Sequence, residues 1–458
     1  MLYLYNSLTN KKELFKPITH KTVQIYVCGI TVYNDCHLGH ARTMIVFDTI
    51  IRFLKFKGFT INYIRNITDI DDKIIAKAKE KNISIYKLTN NYIKKLQKDT
   101  KNLNLIKPNK EPRASQYIKN IINIINKLIK KGYAYPDYNG NVYFKVKNFK
   151  DYGKLSKKNI SKLIIGARTN ILKNKKSPLD FALWKKSKKN EPNWSSPWGN
   201  GRPGWHIECS TMIMKEIGSQ CDIHGGGIDL QFPHHENEIA QSEAINKKIP
   251  SNYWIHVGLL TTNNKKMSNS IKNTLTIQKI LQKYHSNIIK YFFLNSHYRS
   301  PLIYNEKELQ KSKTSLNTLY KCLKYIKTKY NTLNQHWIKK FQTAMNDDFN
   351  TPKALSILFE LKTNINKTHS PHLAITLRYL MSLLGLTIPK TNNNKTTKSK
   401  HLLTSKNNQY IKYLLKKREK ARKEKNWKKA DNIRDTLIKL GIKVEDNINS
   451  TKWFKISK

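Results

Sequence analysis

The segment from Cys221 to Glu243 constrains the chain most, because three glycines stand directly before a cluster of metal-ligating side chains. On a helix, His234 and Glu238 lie on one face, so an imidazole and a carboxylate can bind one divalent ion. The glycines at 225–227 let the backbone approach a ligand closely, and Asp229 suits a nucleotide ribose. The alternative is a glycine-rich surface turn before an ordinary polar helix, and this segment alone leaves both open.

Two distant cysteines extend this ligand set. The chain has five cysteines and no CxxC pair, which argues against a disulfide framework and against a ready-made zinc finger. Cys28 ends a predicted strand, and Cys209 closes a segment rich in Trp, Pro and Gly. With His234 and Glu238 they offer two thiolates, one imidazole and one carboxylate, all of which zinc accepts. The alternative for a lone cysteine is a buried structural role, which is the commoner one.

A predicted strand, a short turn and a helix N-terminus follow one another near the start of the chain. Residues 23–29 are apolar and β-branched, which predicts a buried strand, and residues 41–57 have helical apolar spacing. His37 and His40 lie at the N-terminus of that helix, where exposed amides and the helix dipole favour phosphate. Gly39 leaves room for a flat base or a ribose. HxGH in this position therefore predicts a nucleotide site at the carboxyl edge of a parallel sheet.

Two further predicted strands occupy residues 60–64 and 253–260. The acidic residues at 69–72 follow the first of them, and we interpret them as helix caps and a loop at the edge of the site. The second is followed by a polar lysine-containing segment, TTNNKKMSNSIKN. Its composition fits a flexible lid over phosphates, and the alternative is a charged surface loop.

The second half of the chain is predicted to be helical. Residues 277–386 have helical patterns with few strand signals, and residues 389–408 form a polar linker. A basic helix follows over 411–430, with ten Lys and Arg against two Glu and Trp427 among them. Local charge with an exposed aromatic residue favours contact with RNA.

The net charge is +54, from 85 Lys and Arg against 31 Asp and Glu. A polyanionic partner would explain this charge, and a coding bias toward Lys, Asn and Ile would explain it equally. The net charge therefore supports nucleic-acid binding only weakly. No apolar run is long enough to cross a membrane, and the N-terminus does not have the pattern of a secretory signal. With cysteines that fit a reducing compartment, we expect a cytoplasmic protein with no membrane partner.

Together these segments resemble the cysteinyl-tRNA synthetases, a family of class I aminoacyl-tRNA synthetases. His37-Leu38-Gly39-His40 is similar to the class I HIGH signature, and Lys266-Met267-Ser268-Asn269-Ser270 is similar to KMSKS. Cys28, Cys209, His234 and Glu238 match the dispersed zinc ligands of the family. The resemblance extends over nearly the whole chain through the blocks RNITDIDDK, GRPGWHIECS, DIHGGG, PHHENEIAQSE and MNDDFNTP.

The resemblance implies a two-step reaction with ATP, L-cysteine and tRNA(Cys) as partners. Cysteinyl-adenylate forms first, and the cysteinyl group then passes to the terminal adenosine of the tRNA. One Zn²⁺ per chain would bind the substrate thiolate, because a hydrophobic pocket separates cysteine from serine poorly. Mg²⁺ would accompany ATP, and no editing domain is expected.

The resemblance also implies roles for individual residues. His37 and His40 would stabilise the ATP phosphates in the transition state, and Lys266 would meet the departing pyrophosphate. The other implied ATP-binding residues are Gly39, Gly225, Gly226, Gly227, Asp229, Ser268 and Ser270. The implied residues of the amino-acid pocket are Gly29, Thr31, Thr68, Trp205, His206 and His224. His235 and Glu236 are predicted to have a supporting or structural role.

The expected fold is α/β, with a Rossmann-like parallel sheet split by an insertion, then a helical bundle and a small basic C-terminal domain. The chain is expected to be a monomer. The expected boundaries are 1–120 and 201–300 for the two catalytic halves, 121–200 for the insertion, 301–388 for the bundle, 389–408 for the linker and 409–458 for the C-terminal domain.

Two alternative functions stay open on the sequence. A cysteine ligase with an amino-sugar acceptor would share the zinc and HxGH residues, but it should lack the long helical and basic region over 277–458. An inactive RNA-binding paralogue is suggested by Asn269, which replaces the second lysine of KMSKS. The intact HxGH and zinc ligands argue against it.

We expect Asn269→Lys to raise the rate of cysteine-dependent ATP–pyrophosphate exchange. An asparagine cannot neutralise developing phosphate charge, and one such contact is typically worth about 10²-fold in rate. An unchanged or lower rate would mean that Lys265 or Lys272 already supplies this charge.

Overall fold

The computed structural model describes residues 1–158, 175–262, 265–266, 275–326, 332–388, 405–424, 426–440, 442–447 and 450–455. The chain forms two units, Met1–Ile388 and Pro389–Lys458. Most of the predicted linker and the segment 267–274 of the KMSKS-like loop lie outside the described residues.

The strands, in chain order, are β1 (Tyr3–Asn6), β2 (Lys11–Leu14), β3 (Thr22–Thr31), β4 (Thr60–Thr68), β5 (Ala134–Pro136), β6 (Val142–Phe144), β7 (Phe181–Lys186), β8 (Gly201–Pro203), β9 (Cys221–Gly227), β10 (Ser251–Val257), β11 (Leu260–Thr262), β12 (Lys265–Lys266), β13 (Leu302–Ile303), β14 (Ile442–Asn447) and β15 (Ser450–Lys455).

The helices, in chain order, are α1 (Leu38–Phe56), α2 (Asp72–Glu80), α3 (Ile85–Asn102), α4 (Ile118–Lys130), α5 (Trp205–Glu216), α6 (Glu236–Asn246), α7 (Ile277–Lys283), α8 (Ser286–Leu294), α9 (Glu306–Cys322), α10 (Gln335–Asn346), α11 (Thr351–Thr368), α12 (Pro371–Leu383), α13 (Ser405–Lys423) and α14 (Trp427–Lys439).

A four-stranded parallel sheet in the order β10–β9–β3–β4 forms the centre of the first unit. Its middle strand β3 is apolar on both faces, as expected for a parallel strand covered by helices on each side. The predicted Rossmann-like class is therefore confirmed, and the carboxyl ends of β3, β4 and β9 meet at one edge.

An antiparallel sheet in the order β5–β6–β7–β8 lies in the chain between β4 and β9. It has its own apolar core, which includes Phe144, Leu183 and Trp184 together with Ile121 of α4. The insertion therefore folds around side chains of its own and also packs on Ile239 of α6, close to the predicted metal ligands.

The predicted strand over 253–260 is confirmed as far as Val257. Its continuation to residue 260 is wrong, because β10 ends there and β11 belongs to a different sheet. The break falls at Gly258, where a Cβ atom would lie 2.4 Å from the carbonyl oxygen of Ser300. Only glycine allows the two backbones to approach so closely.

Two buried charged residues connect the catalytic sheet to the segments that follow it. The Arg42 guanidinium on α1 donates to the carbonyls of Gly258 (2.8 Å), Leu259 (2.9 Å) and Ser300 (2.5 Å). Asp348 is fully buried and accepts from the Tyr298 hydroxyl at 2.7 Å.

The same Asp348 carboxylate accepts from the amide of Tyr5 and from the Arg299 guanidinium, at 2.9 and 2.8 Å. Asp348 lies two residues before Asn350, the N-cap of α11, whose side chain accepts from the Lys353 amide. The N-terminal strand β1, the turn at 297–300 and the start of α11 are therefore held by one carboxylate.

The second unit contains α13, α14 and the antiparallel hairpin β14–β15. Its core consists of Ile411, Leu414, Ile433, Leu437 and Ile442. The predicted single basic helix over 411–430 is thus two helices, because Asn426 caps a new helix at Trp427. Across the described residues, no helix combines the length and the apolar character needed to cross a bilayer.

Asp348→Asn should lower the free energy of unfolding of the first unit by about 2 kcal/mol, because the new amide group would face a donor whichever oxygen it replaces and the charge opposite Arg299 is lost. The matched control is Asp347→Asn, next in the chain, with 47% of its side chain exposed and an ion pair to Lys12. That exposed pair should contribute under about 1 kcal/mol. Urea titrations of both variants measure the difference, and equal losses would contradict the role of Asp348.

Candidate active site

A cavity of about 500 Å³ opens where β3, β4 and β9 end and α1 begins. This is the edge at which open α/β sheets bind ligands. Its wall contains most of the site residues that the sequence predicts: Cys28, Gly29, Thr31, His37, Gly39, His40, Thr68, Trp205, Cys209, Gly227, Asp229 and His234.

The four predicted metal ligands converge at the inner end of this cavity. Cys28 lies near the end of β3, Cys209 on α5, His234 in the turn before α6, and Glu238 in the first turn of α6. One ligand atom from each lies within 4.8 Å of the other three, and all four side chains are buried. The structure thus brings together side chains from segments up to 210 residues apart.

The separations within this group match a small four-coordinate ion. Cys28 Sγ lies 3.8 Å from Cys209 Sγ and 3.4 Å from Glu238 Oε1. His234 Nε2 lies 2.9 Å from the same Oε1. Tetrahedral Zn²⁺ with bonds of about 2.0–2.3 Å places its ligand atoms roughly 3.3–3.8 Å apart, so the group needs only small shifts to bind it.

Burial makes the ionised forms of these side chains unfavourable. Burial raises the pKa of Glu238 well above its usual range, and burial together with Cys209 and Glu238 raises that of the Cys28 thiol. The Cys28 thiol donates to Cys209, which lowers the pKa of Cys209 to about 7 and makes it the first of the pair to ionise. A buried thiolate beside a carboxylate is the chemistry that a divalent cation neutralises.

Neighbouring aromatic rings hold His234 in position. Its Nδ1 lies 3.0 Å from His206 Nδ1, and the Trp205 ring stacks on it at 4.4 Å with an interplanar angle of 29°. Burial, and then the charge of His234, lower the pKa of His206 well below its usual range. A neutral His206 can therefore share a proton with His234 Nδ1 and leave Nε2 as the ligand atom.

A second group of histidines lies behind these ligands. His224 Nε2 lies 3.6 Å from Cys28 Sγ, and its ring stacks on Trp254 at 4.4 Å. His235 Nδ1 lies 2.9 Å from His256 Nε2. Burial lowers the pKa of His224 and His235 well below the usual range and that of His256 to about 3, so all three imidazoles are neutral near pH 7.

Two predicted pocket residues, His206 and His224, therefore contact metal-ligating side chains and do not line the cavity wall. Glu236, predicted to be supporting or structural, accepts from the amides of Gly153 and Ser156 at 2.9 and 2.8 Å. It anchors the insertion to α6.

The HxGH segment caps its own helix. His37 Nδ1 accepts from the Gly39 amide at 3.1 Å, and His40 Nδ1 accepts from the His37 amide at 3.2 Å. The two rings stack with centroids 3.7 Å apart. A Cβ atom on Gly39 would lie 2.9 Å from the His37 ring, so glycine is required for this stacked arrangement. Both imidazoles are thereby fixed at the cavity wall.

Both ends of the KMSKS-like loop attach near this helix start. On one side Lys265 and Lys266 pair with Thr262 and Thr261 of β11, whose first residue lines the cavity. On the other, the Leu38 amide donates to the Leu275 carbonyl at 3.0 Å. The backbone of Lys266 is thus described, whereas its side chain and the predicted residues Ser268 and Ser270 lie outside the described residues.

The three glycines of β9 differ in their surroundings. A Cβ on Gly225 would lie 2.0 Å from Phe47 Cζ in the core, and one on Gly226 would lie 2.9 Å from Leu230 Cδ1. Of the three, Gly227 lines the cavity, next to Asp229. The first two glycines therefore allow close packing behind the wall.

The acidic cluster after β4 is structural, as interpreted from the sequence. Asp71 caps α2 by accepting from the Lys73 amide at 2.8 Å. Asp69 accepts from the Ser115 hydroxyl at 2.6 Å, and Asp72 pairs with Arg202 of β8 at 2.5 Å. These contacts attach the insertion to the end of β4.

Sequence reasoning missed several residues of the wall, among them Tyr33, Asn66 and Lys73. Asn66 accepts from the Gly29 amide at 2.8 Å and donates to Thr68 Oγ1 at 3.4 Å, so it spaces two predicted pocket residues. Its place between an arginine and an apolar strand residue carries no signal for this role.

Three family models match the chain in succession. A class I (C) tRNA synthetase catalytic domain matches residues 14–314, a DALR domain matches 340–388, and a cysteinyl-tRNA ligase anticodon binding domain matches 410–453.

Two curated relatives match along their whole length. A cysteine–tRNA ligase of Legionella pneumophila (strain Philadelphia 1) is 51% identical and covers 100% of both chains. One of Hydrogenovibrio crunogenus is 48% identical and covers 99% of this chain and 100% of its own. The solved Mycobacterium tuberculosis methionyl-tRNA synthetase in complex with methionyl-adenylate has a TM-score of 0.59 at 12% identity, over 80% of this chain and 90% of its own. It supports the fold alone.

Gly225→Ala should lower the free energy of unfolding by about 2 kcal/mol, because the new methyl group overlaps the buried Phe47 ring. Gly227→Ala is the matched control, since its Cβ meets the Asp229 carboxylate at 2.4 Å, a side chain that can rotate into the cavity. Urea denaturation measures both. Partial recovery of Gly225→Ala by Phe47→Leu would confirm the cause, and a larger loss in Gly227→Ala would contradict it.

Proposed function

Because the chain belongs to the cysteine–tRNA ligases of the class I aminoacyl-tRNA synthetases, we propose a division of labour among its residues in charging tRNA with cysteine. Membership makes it an enzyme that binds ATP, an amino acid and tRNA. The convergence of Cys28, Cys209, His234 and Glu238 at the cavity is the observation that carries the proposal.

We propose that these four residues hold one Zn²⁺ per chain. Two thiolates, an imidazole and a carboxylate are ligands that zinc prefers, and burial disfavours the ionised carboxylate unless a cation balances its charge. When bound, the ion supplies a soft Lewis acid that accepts a thiolate sulfur far more readily than a serine hydroxyl.

The remaining pocket residues orient the substrate and exclude water. Thr31, Thr68 and Gly29 line the cavity at the ends of β3 and β4, within reach of the amino and carboxylate groups of an amino acid. Trp205 stacks on His234 and lines the cavity beside the proposed metal ligands. His206 and His224 act through the ligands that they contact, so we place them as positioning residues.

ATP is proposed to lie along the HxGH helix start. His37 and His40 present two fixed imidazoles to the phosphates, and the helix N-terminus adds favourable dipoles. Asp229 and Gly227 lie across the cavity, where they would bind the ribose, and Gly39 leaves space above the His37 ring.

The loop residues Lys266, Ser268 and Ser270 are proposed to contact the phosphates from the other side. The pairing of Leu38 with Leu275 supports this, because it keeps one end of the loop beside HxGH. Mg²⁺ is proposed to enter with ATP, since phosphate oxygens are its usual ligands in such sites.

The tRNA is proposed to contact the bundle over 301–388 and the C-terminal domain over 409–458. Tyr413 and Trp427 of the second unit are more than half exposed, and Lys417 and Arg422 lie over their rings. Such cation–aromatic surfaces stack exposed bases. We keep the other boundaries (1–120, 121–200, 201–300 and the linker 389–408) and a monomer as proposals.

A cytoplasmic location is proposed because thiolate ligands need a reducing compartment. The described cysteines are all unpaired. No observation favours the amino-sugar ligase, and the anticodon binding domain over 410–453 supports tRNA as the acceptor.

Cys28→Ala should abolish stoichiometric zinc and lower cysteine-dependent ATP–pyrophosphate exchange at least about 10³-fold, because a lost Lewis-acid contact is worth several kcal/mol. Zinc is measured by mass spectrometry on dialysed full-length protein, and exchange is measured with cysteine and with serine.

The matched control is Cys221→Ala, a fully buried thiol outside the proposed ligand set. It should keep zinc, activity and the preference for cysteine over serine. The proposal fails if Cys28→Ala retains exchange within tenfold of the native rate, or if the native protein binds no stoichiometric zinc.

A further inference from the structure

The metal centre contains a second set of four buried ligand atoms beside the first. Cys28, His224, His235 and Glu238 also offer one ligand atom each within 4.8 Å of one another. The two sets share Cys28 and Glu238 and differ in the other pair. The pair that distinguishes the outer set, Cys209 and His234, lines the cavity. The pair that distinguishes the inner set, His224 and His235, lies behind the wall.

The shared carboxylate faces both sets with different oxygens. Glu238 Oε1 lies 2.9 Å from His234 Nε2 in the outer set, whereas Oε2 lies 3.5 Å from His224 Nε2 in the inner set. Cys28 Sγ stands between them, 3.8 Å from Cys209 Sγ and 3.6 Å from His224 Nε2. The two inner separations that involve His224 fall within the range expected for the ligand atoms of a tetrahedral ion.

Three inner atoms are buried and accept or donate no hydrogen bond among the described residues: Glu238 Oε2, His235 Nε2 and His224 Nδ1. Buried polar atoms without partners are uncommon in folded proteins and call for an explanation. Two of them, Glu238 Oε2 and His235 Nε2, are the atoms that the inner set leaves available for an ion.

Each set also has a supporting histidine. In the outer set His206 holds Nδ1 of His234 at 3.0 Å, and in the inner set His256 holds Nδ1 of His235 at 2.9 Å. A metal-ligating imidazole usually has its other nitrogen fixed by such a partner, because this selects the tautomer. His235 is therefore arranged with Nε2 as the ligand atom, as His234 is.

We propose that the centre has two overlapping positions for one divalent ion, the outer one exposed to substrate and the inner one closed to it. In the native protein the ion occupies the outer position, because that position has two thiolates and soft ions bind thiolates more tightly than imidazoles. When the Cys209 thiolate is lost, the ion binds to Cys28, His224, His235 and Glu238. The protein then keeps its metal and cannot bind a thiol, since His224, His235 and Glu238 do not line the cavity and the ion lies behind its wall.

The inference rests on the proposed zinc site and is tested on full-length Cys209→Ala loaded with Zn²⁺. X-ray absorption at the zinc edge counts sulfur and imidazole ligands. The native protein should show two sulfurs and one imidazole. Cys209→Ala should retain one ion per chain, with one sulfur and two imidazoles. Cys221→Ala is the matched control and should give the native spectrum.

A second pair of variants measures the role of His235. His235→Ala alone should change zinc affinity by no more than about threefold, because the outer position does not use it. In the Cys209→Ala background the same change should weaken zinc binding at least about 100-fold, as expected for a lost ligand. Competition with a chelator measures both, and Cys209→Ser replaces Cys209→Ala if the latter folds poorly.

Three results would overturn the two-position centre. Cys209→Ala could bind no zinc, it could hold zinc with one sulfur and one imidazole, or His235→Ala could weaken binding equally in both backgrounds. Native protein without zinc would instead overturn the proposed function, so the two failures are distinguishable.

Discussion

The burial of two thiols and a carboxylate at one sheet edge is the constraint on which the rest of the site depends. Cys28, Cys209 and Glu238 come from three separate segments, and each is less than a tenth exposed. Burial disfavours their charged forms, so the cluster is stable in an ionised state only with a cation. The supporting contacts follow from this need, since His206 and Trp205 fix His234, and Glu236 anchors the insertion that covers α6.

The sequence predicts the parallel sheet and the HxGH helix well, and it selects four candidate metal ligands that the structure brings together, because each has a local pattern or a recognisable motif. Apolar residues over 23–29 indicate the strand, and His234 and Glu238 are four apart on a helical turn. The break at Gly258 was not predictable, because it is caused by a residue 42 positions later in the chain. A Cβ atom on Gly258 would lie 2.4 Å from the carbonyl oxygen of Ser300. The same applies to Asn66, whose function in the wall comes from a tertiary contact with Gly29.

The three glycines at 225–227 are needed for different structural reasons, although they belong to one motif. The run at 225–227 predicts a close approach of backbone to ligand, yet Gly225 faces Phe47 and Gly226 faces Leu230. The missing side chain of Gly225 lets β9 pack against Phe47 of α1, the helix whose start carries the two HxGH histidines. Core packing therefore fixes the distance between the HxGH histidines and the four candidate metal ligands, and Gly227 alone of the three glycines faces the cavity.

An enzyme that selects a thiol through a metal needs soft ligands and an open coordination position, so that the substrate sulfur can bind the ion. An exposed soft site risks losing its ion when a thiolate is blocked or oxidised. In the proposed two-position centre the neutral histidines offset that risk, because His224 and His235 lie next to Cys28 and Glu238 and do not line the cavity. Their burial, which lowers the pKa of each imidazole, keeps their lone pairs available at neutral pH. A histidine-rich core beside a two-thiolate site is thus chemically consistent with an enzyme that must expose its metal to substrate and still retain it.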